Sequence, residues 1–281
     1  MNFEPVIKWS GSKRSQSEFI VSKIKDKEYD TYYEPFCGGC SVLFQVLNSE
    51  KKFKRYVCSD VNSDLISLWN LIKSDPDLIS LKYEEMWNEL NYDNDIDRKR
   101  DYFNNVRNRF NKYKNPTDFM FIMRTTTNGM PRYNRNGEFN NSFHITRSGI
   151  RPEKLKKILN KWSLLLNKYN VDFLCCNYDE IKVKQNDFMY LDPPYANTSG
   201  MYYGTINYDK LWDFMRNLEC EYILSFDGKT EDGNGCIEDM TFCVPSCLYS
   251  QHLYIDSGNS SFRRIIKKSN KTYVKESLYI K

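Results

Sequence analysis

The run Asp187-Phe188-Met189-Tyr190-Leu191-Asp192-Pro193-Pro194-Tyr195 is the stretch of this sequence best suited to chemistry. An apolar segment delivers an acid, two prolines follow, and an aromatic ring closes the motif. Proline fixes φ and lacks an N–H, so the Asp192 carboxylate and the Pro193 carbonyl can both face outward as acceptors. Two adjacent acceptors suit an amine conjugated with a ring, whose delocalised lone pair is a poor nucleophile. If one N–H donates to Asp192 and the other to Pro193, the nitrogen is biased toward a tetrahedral geometry with its lone pair aimed at an electrophilic carbon. Tyr195 then offers a platform on which a planar base can stack, worth ~1–3 kcal/mol. The plainer alternative is an ordinary turn after a strand.

The surrounding pattern is that of an α/β protein. Ser17–Lys25 reads as a short amphipathic helix with Phe19, Ile20 and Ile24 on one side. Tyr32–Ser41 is a strand running into a glycine turn, and the apolar run Val42–Leu47 continues it as a helix. Tyr56–Asp60 is a second strand ending in an acid, before the helix Ser63–Lys73, which Asp60 or Asn62 can cap. From about Asp75 to Lys112 the composition changes to charged helix and the α/β rhythm stops. It resumes after the helix Lys154–Tyr169, with strands at Val171–Cys175, Phe188–Leu191 and Tyr222–Ser225. The expected organisation is therefore a catalytic domain from residues 1–74 and 165–281, with an insertion over 75–164. In an open sheet of this kind ligands bind at the carboxyl edge, which is where Asp192 emerges.

Charge is distributed unevenly. Between Arg98 and Lys157 there are 15 Lys/Arg against 4 Asp/Glu, leaving 26 against 33 elsewhere, so the positive charge is concentrated in the insertion. Arg98–Arg100 and Lys154–Lys157 read as solvated helix faces. Arg124–Arg151 interleaves arginines with Asn, Tyr, Phe and Gly and has the make-up of a polyanion-contacting loop. Nine cysteines, an odd number in a chain with no charged-then-apolar leader, read as free thiols. Cys37 and Cys40 have CxxC spacing but no second ligand pair, so no metal is expected. No apolar run approaches the ~20 residues of a membrane span, and a soluble cytoplasmic protein is the expectation.

Taken with the order of these motifs, the chain resembles the Dam-like (alpha-group) DNA adenine methyltransferases over nearly its whole length. Ile7-Lys8-Trp9-Ser10-Gly11-Ser12-Lys13 looks like the family's N-terminal cofactor motif, Glu34–Ser41 like its glycine-rich motif, and Ser59–Ile66 like the acid-ended strand after it. Arg124–Phe143 looks like the target-recognition hairpin, and Asp192–Tyr195 like the catalytic motif. The resemblance implies a Rossmann-like class I methyltransferase sheet with an inserted helical target-recognition domain carrying a β-hairpin at about 124–143. It implies transfer of the methyl group of S-adenosylmethionine to the exocyclic N6 of an adenine flipped from double-stranded DNA. Asp192, Pro193, Pro194 and Tyr195 are then catalytic. Trp9, Lys13, Glu34, Phe36, Gly38, Gly39, Asp60 and Asp192 face the cofactor, with Glu34 toward its methionine half. Arg124, Asn128, Met130, Arg132, Asn134, Arg135 and Ser142 face DNA.

Physical readings stand beside these. Gly38 and Gly39 permit close backbone approach, and Asp60 can accept from ribose hydroxyls or act as a helix cap. By itself Lys13 is one more surface lysine. Arg132 can read a guanine edge or bond the DNA backbone, and Asn128 a base or a phosphate. Tyr202, Tyr203 and Gly204 are expected to border the base, and Gly228–Gly235 to form a mobile loop. Phe262–Lys268, with Arg263, Arg264, Lys267 and Lys268, reads equally as a phosphate contact or a solvated basic segment.

Thr127 stands where GATC-modifying members often carry an aromatic wedge, and Ser142-Phe143-His144 replaces a Pro-containing continuation, so the target sequence is not carried over. Competing readings are the same chemistry on cytosine N4, RNA or a protein amide, and a non-catalytic DNA-binding module. Serine at 192 would have favoured cytosine, and a dead module predicts damage at the acceptor carboxylate or the glycine turn, which are intact. A monomer or weak dimer in a bacterial cell, or in host cytoplasm if viral, with a companion restriction endonuclease, completes the expectation.

Overall fold

The alternation in Glu28–Glu34 buries Tyr29, Thr31, Tyr32 and Glu34 and makes this segment the first strand, β1. The computed structural model describes residues 4–195, 206–231, 237–239, 243–259 and 273–281. Before β1 lies α1 (Ser17–Ser22), and after it come α2 (Ser41–Leu47), β2 (Lys52–Asp60) and α3 (Ser63–Ser74). Asn62, not Asp60, caps α3, its side chain accepting from the Leu65 N–H at 3.0 Å. Ile20 and Ile24 are buried as expected, but Phe19 is 38% exposed, because it sits about 100° around the helix from Ile20 and lies against Lys23 instead.

The insertion opens with α4 (Pro76–Leu90), α5 (Ile96–Tyr113) and α6 (Pro116–Thr125). Each starts at a side-chain cap: Asp75, Asp95 and Asn115 accept from backbone N–H groups one turn on. The apolar run within α6 is buried on all sides. Phe119 stacks on Phe110 of α5, Phe121 meets Tyr83 of α4 and Tyr102 of α5, and Arg109 clamps the buried Asp118 through two hydrogen bonds of 2.6 and 2.8 Å.

The segment after α6 is hairpin-shaped without continuous strands. Isolated bridges pair Thr126 with Phe143 and Tyr133 with Phe139. Asn128 and Gly129, both with positive φ, interrupt the ladder, and the buried Asn141 amide takes over, donating to the Thr127 and Met130 carbonyls. The chain returns through α7 (Pro152–Lys168), whose Trp162 meets Phe44 of α2 and Trp69 of α3. Residue 164, the expected end of the insertion, falls inside α7, and a single apolar core runs from the sheet into the inserted helices.

Next come β3 (Asp172–Cys175), β4 (Phe188–Leu191), α8 (Tyr208–Arg216), β5 (Glu221–Glu231), β6 (Ile237–Asp239), β7 (Gln251–Asn259) and β8 (Tyr273–Ile280). They complete an eight-stranded sheet in the order β3-β2-β1-β4-β5-β8-β7, with β6 paired to β5. The first five strands of that order are parallel, and β8 is antiparallel to both its neighbours. This is a Rossmann-like doubly wound sheet, as the resemblance implies. Its order reverses between β1 and β4, the switch point at whose carboxyl edge ligands bind. On β4, Phe188 and Tyr190 enter the core on one face, Met189 and Leu191 the smaller cluster on the other. The expected loop at 228–235 begins as strand, since β5 extends to Glu231; its remaining residues, with Tyr202, Tyr203, Gly204 and Phe262–Lys268, lie outside the described residues.

Candidate active site

The cavity at the switch point has a volume of about 1050 Å³ and is bordered by Trp9, Lys13, Glu34, Phe36, Gly38, Gly39, Asp60 and Asp192, the whole expected cofactor set. It also takes in Pro193, Pro194, Tyr195, Asn128 and Met130. Single-ligand pockets commonly span about 300–1,000 Å³, so this one is at the upper end of that range.

Gly38 occupies φ +44, and a Cβ there would come within 2.8 Å of the Trp9 indole nitrogen; at Gly39 it would meet Trp9 Cβ at 3.2 Å. Glycine at 38 is thus set by its left-handed backbone and by Trp9 packed over the turn, while at 39 the fit against Trp9 is tight. The Trp69 indole donates to the Gly38 carbonyl at 2.9 Å and fixes the turn from below. Asp60 accepts from the Gly38 N–H at 3.3 Å and the Asn62 N–H at 3.0 Å. Burial pushes its carboxyl up to about 6. Because Asn62 does the capping, Asp60 remains turned to the cavity. Cys37 and Cys40 are buried beside Cys58, and burial raises the Cys37 thiol to about 12, so these are inert packing groups.

Glu34 ends β1 fully enclosed, accepting from the Tyr32 hydroxyl at 2.6 Å, and burial lifts its carboxyl to about 8. Lys13, expected as surface on residue type alone, is 4% exposed. Its backbone N–H donates to Ser41 Oγ at 3.0 Å, and its ammonium lies 2.9 Å from Asp192 Oδ1, 3.4 Å from Glu276 Oε2 and 4.7 Å from the Tyr195 ring centroid. Burial raises the Asp192 carboxyl to about 6 against the pull of Lys13. The Tyr208 hydroxyl donates to the Pro194 carbonyl at 2.9 Å and steadies the proline turn. The Tyr195 ring is braced edge-on by Phe226, and its hydroxyl donates to Glu276 at 2.8 Å.

The residues expected at DNA divide into three groups. Asn128 and Met130 border the cavity. Arg132, Arg135 and Ser142 are exposed on the hairpin. Arg124 faces inward, and Asn134 is half-buried at the hairpin tip. Arg124 sits in the last turn of α6 and donates to the Val6 carbonyl at 2.6 Å and to that of Pro5, burial holding its guanidinium at about 10. Asn134 binds Glu138 at 2.8 Å and accepts from the Asn136 and Glu138 N–H groups, so it shapes the hairpin tip.

Lys8, Arg147 and Glu276 also border the cavity and were not singled out by sequence reasoning. Lys8 lay inside the quoted N-terminal motif without a role. Glu276 had no local signal, since it is one acid in an alternating C-terminal strand.

A family model described as D12 class N6 adenine-specific DNA methyltransferase matches residues 9–236. The Type II methyltransferase M.MjaIII of Methanocaldococcus jannaschii is 30% identical over 266 residues, covering 83% of this chain and 89% of that protein. The DNA adenine methylase of Escherichia coli K12 is 32% identical over 199 residues, 69% of this chain and 65% of that one. The solved rRNA methyltransferase aviRa of Streptomyces viridochromogenes aligns with 97% of this chain and 90% of its own at 10% identity and a TM-score of 0.44, a likeness too loose to bear on function. A glycine turn and an acidic proline motif meeting in one cavity at the switch point agree with the family match, and the chain belongs to the D12 class N6 adenine-specific DNA methyltransferases.

Proposed function

We propose that this adenine-N6 methyltransferase works on an adenine swung out of double-stranded DNA, with Asp192 and the Pro193 carbonyl as acceptors for the two N6 hydrogens. The observation that carries the reading is that Asp192 and the Gly38–Gly39 turn border one cavity. S-adenosylmethionine, when bound, supplies a sulfonium methyl whose carbon–sulfur bond breaks as the new nitrogen–carbon bond forms. The chain's residues bind, orient and take up charge. Trp9, Phe36, Gly38 and Gly39 cradle the cofactor, Asp60 accepts from its ribose, and Glu34 takes its ammonium end. Asp192 and Pro193 draw the amine lone pair toward the methyl, and Asp192 is within reach of the proton that N6 sheds. Extrusion costs a few kcal/mol, part of which stacking on Tyr195 offsets.

On this reading the insertion over 75–164 handles the target. Asn128 and Met130 meet the extruded nucleotide, Arg132, Arg135 and Ser142 meet the flanking duplex, and Arg124 and Asn134 hold the segment in shape. Two relatives are named Type II methyltransferases, M.MjaIII and the M.FokI of Planomicrobium okeanokoites. From those names we infer a companion restriction endonuclease, the pair acting in the cytoplasm, where DNA and cofactor meet, with the methyltransferase as a monomer or weak dimer.

The test is transfer of labelled methyl groups to unmethylated duplex DNA, RNA and protein by the wild type and by Asp192→Ala. Transfer to duplex DNA, mapped to adenine N6, is expected from the wild type. A loss of about 10²-fold or more is expected in the variant, with cofactor binding retained. A variant that keeps more than a few per cent of activity removes Asp192 from the chemistry.

A further inference from the structure

Lys13 holds the position that the target amine needs. Its ammonium donates to Asp192 at 2.9 Å and lies over the Tyr195 ring, the two interactions that the reading above gives to the flipped base. Base entry therefore requires the ammonium to shift its weight off Asp192, and a second acid is in reach. Glu276 Oε2 is 3.4 Å from Lys13 Nζ and takes the Tyr195 hydroxyl at 2.8 Å.

The fold brings Glu276 there by a specific device. Along β5 and β8 the pairing runs Phe226 to Ser277 and then Lys229 to Lys275, so Asp227 and Gly228 together oppose Glu276 in a bulge. Bulges re-aim a side chain at the cost of ladder pairing. A Cβ at Gly228 would collide with the Lys275 carbonyl and the Glu276 backbone, so the close approach of β8 depends on a glycine at this position.

We propose that Glu276 is a positioning residue of the methyl-transfer site: it anchors the Tyr195 ring and receives the Lys13 ammonium as Asp192 turns to the base amine. The proposal rests on the assignment of Asp192 as the amine acceptor. Without the Glu276 charge the ammonium is held more firmly on Asp192, and the incoming amine must compete with it.

The groups that face Asp192 are Lys13 from the N-terminal segment, Glu276 from β8, Tyr195 beyond β4, Tyr190 on β4 and Glu34 at the end of β1. Among these, the Glu276 charge disfavours ionisation of Asp192. Since turnover needs the ionised form, removing that charge moves the acidic limb of the kcat profile to lower pH.

The experiment compares Glu276→Gln and Glu276→Asp in the full chain with unmethylated duplex DNA, recording kcat, KM for DNA, S-adenosylmethionine affinity and the pH dependence of kcat. Glutamine preserves size and an acceptor for Tyr195 while removing the charge; aspartate preserves the charge. Expected for Glu276→Gln is a fall in kcat at neutral pH on the order of tenfold to a hundredfold, as for loss of a charged hydrogen-bond partner. Cofactor affinity should stay unchanged and the acidic limb should move down. Glu276→Asp should keep the limb where it is and recover part of the rate.

Wild-type kcat and an unmoved limb in Glu276→Gln overturn the proposal. So does an equal loss at every pH in both variants, which marks a scaffold role. If Asp192→Ala remains active, the site assignment fails first; if it is dead while Glu276→Gln is normal, only the role of Glu276 fails.

Discussion

Glu34 links the chemistry of a single residue to a measurable proton. A carboxyl raised to about 8 by burial is largely protonated at pH 7. A cationic group brought against it favours the ionised form, lowers that value and expels the proton, so affinity for the cation rises with pH up to about 8. If Glu34 takes the ammonium end of S-adenosylmethionine, calorimetry at pH 7 in buffers of different ionisation enthalpy should record release of close to one proton per cofactor bound. Glu34→Gln should abolish that release, and a wild type that releases none removes Glu34 from the cofactor. The same scale explains why Lys13, one more surface lysine by residue type, is buried in the structure. A lysine has no local mark of burial, and its place here comes from Ser41, Asp192 and Glu276, which are 28, 179 and 263 residues further along the chain.

Among the elements, the post-α6 hairpin departs furthest from expectation. Polar residues and two glycine turns were legible in the sequence as a hairpin, and its ends do pair, Thr127 N–H to the Ser142 carbonyl and Asn140 N–H to that of Arg132. What was not legible is that a buried side chain replaces part of the ladder. Asn141 donates to two carbonyls and accepts from the Ser142 N–H. Removing it in Asn141→Ala leaves partly buried carbonyls unsatisfied and should lower stability by about 1–2 kcal/mol in urea unfolding. It should also raise the KM for DNA, since Asn128 and Met130 lie on the segment it shapes, while cofactor affinity stays as it was. Tyr133 then ties the hairpin to α3 by donating to Asp64 at 2.7 Å. An unchanged melt and KM would mean the bridges alone hold the hairpin.

The molecule as a whole carries basic residues on the hairpin and N-terminal segment beside a pocket rich in acids. Lys8 and Arg147 border a cavity also lined by Glu34, Asp60, Asp192 and Glu276, and Arg132 and Arg135 are exposed on the hairpin that carries Asn128 and Met130 to it. Each phosphate neutralised contributes about −0.9 to the slope of log K against log salt. Four such cations therefore predict a slope of about −3.6 for unmethylated duplex, and each charge-removing substitution should reduce it by roughly 0.9. A flat response would remove this face from the DNA interface.

The sequence by itself determined the α/β class, the acidic proline motif at a strand end and the glycine turn, because these are set by spacings within a few residues. Period and turn chemistry act locally, and the family's motifs are written in them. Only the tertiary structure decided that Asn62 caps α3 and leaves Asp60 to the cavity, that Trp9 packs over Gly38, and that Arg124 holds the N-terminal segment. It alone brought Glu276 to Tyr195. Each of these depends on which surfaces meet when β8 inserts between β5 and β7 and the N-terminal segment packs across the sheet. Contacts between segments distant in the chain carry no spacing that a local pattern can register.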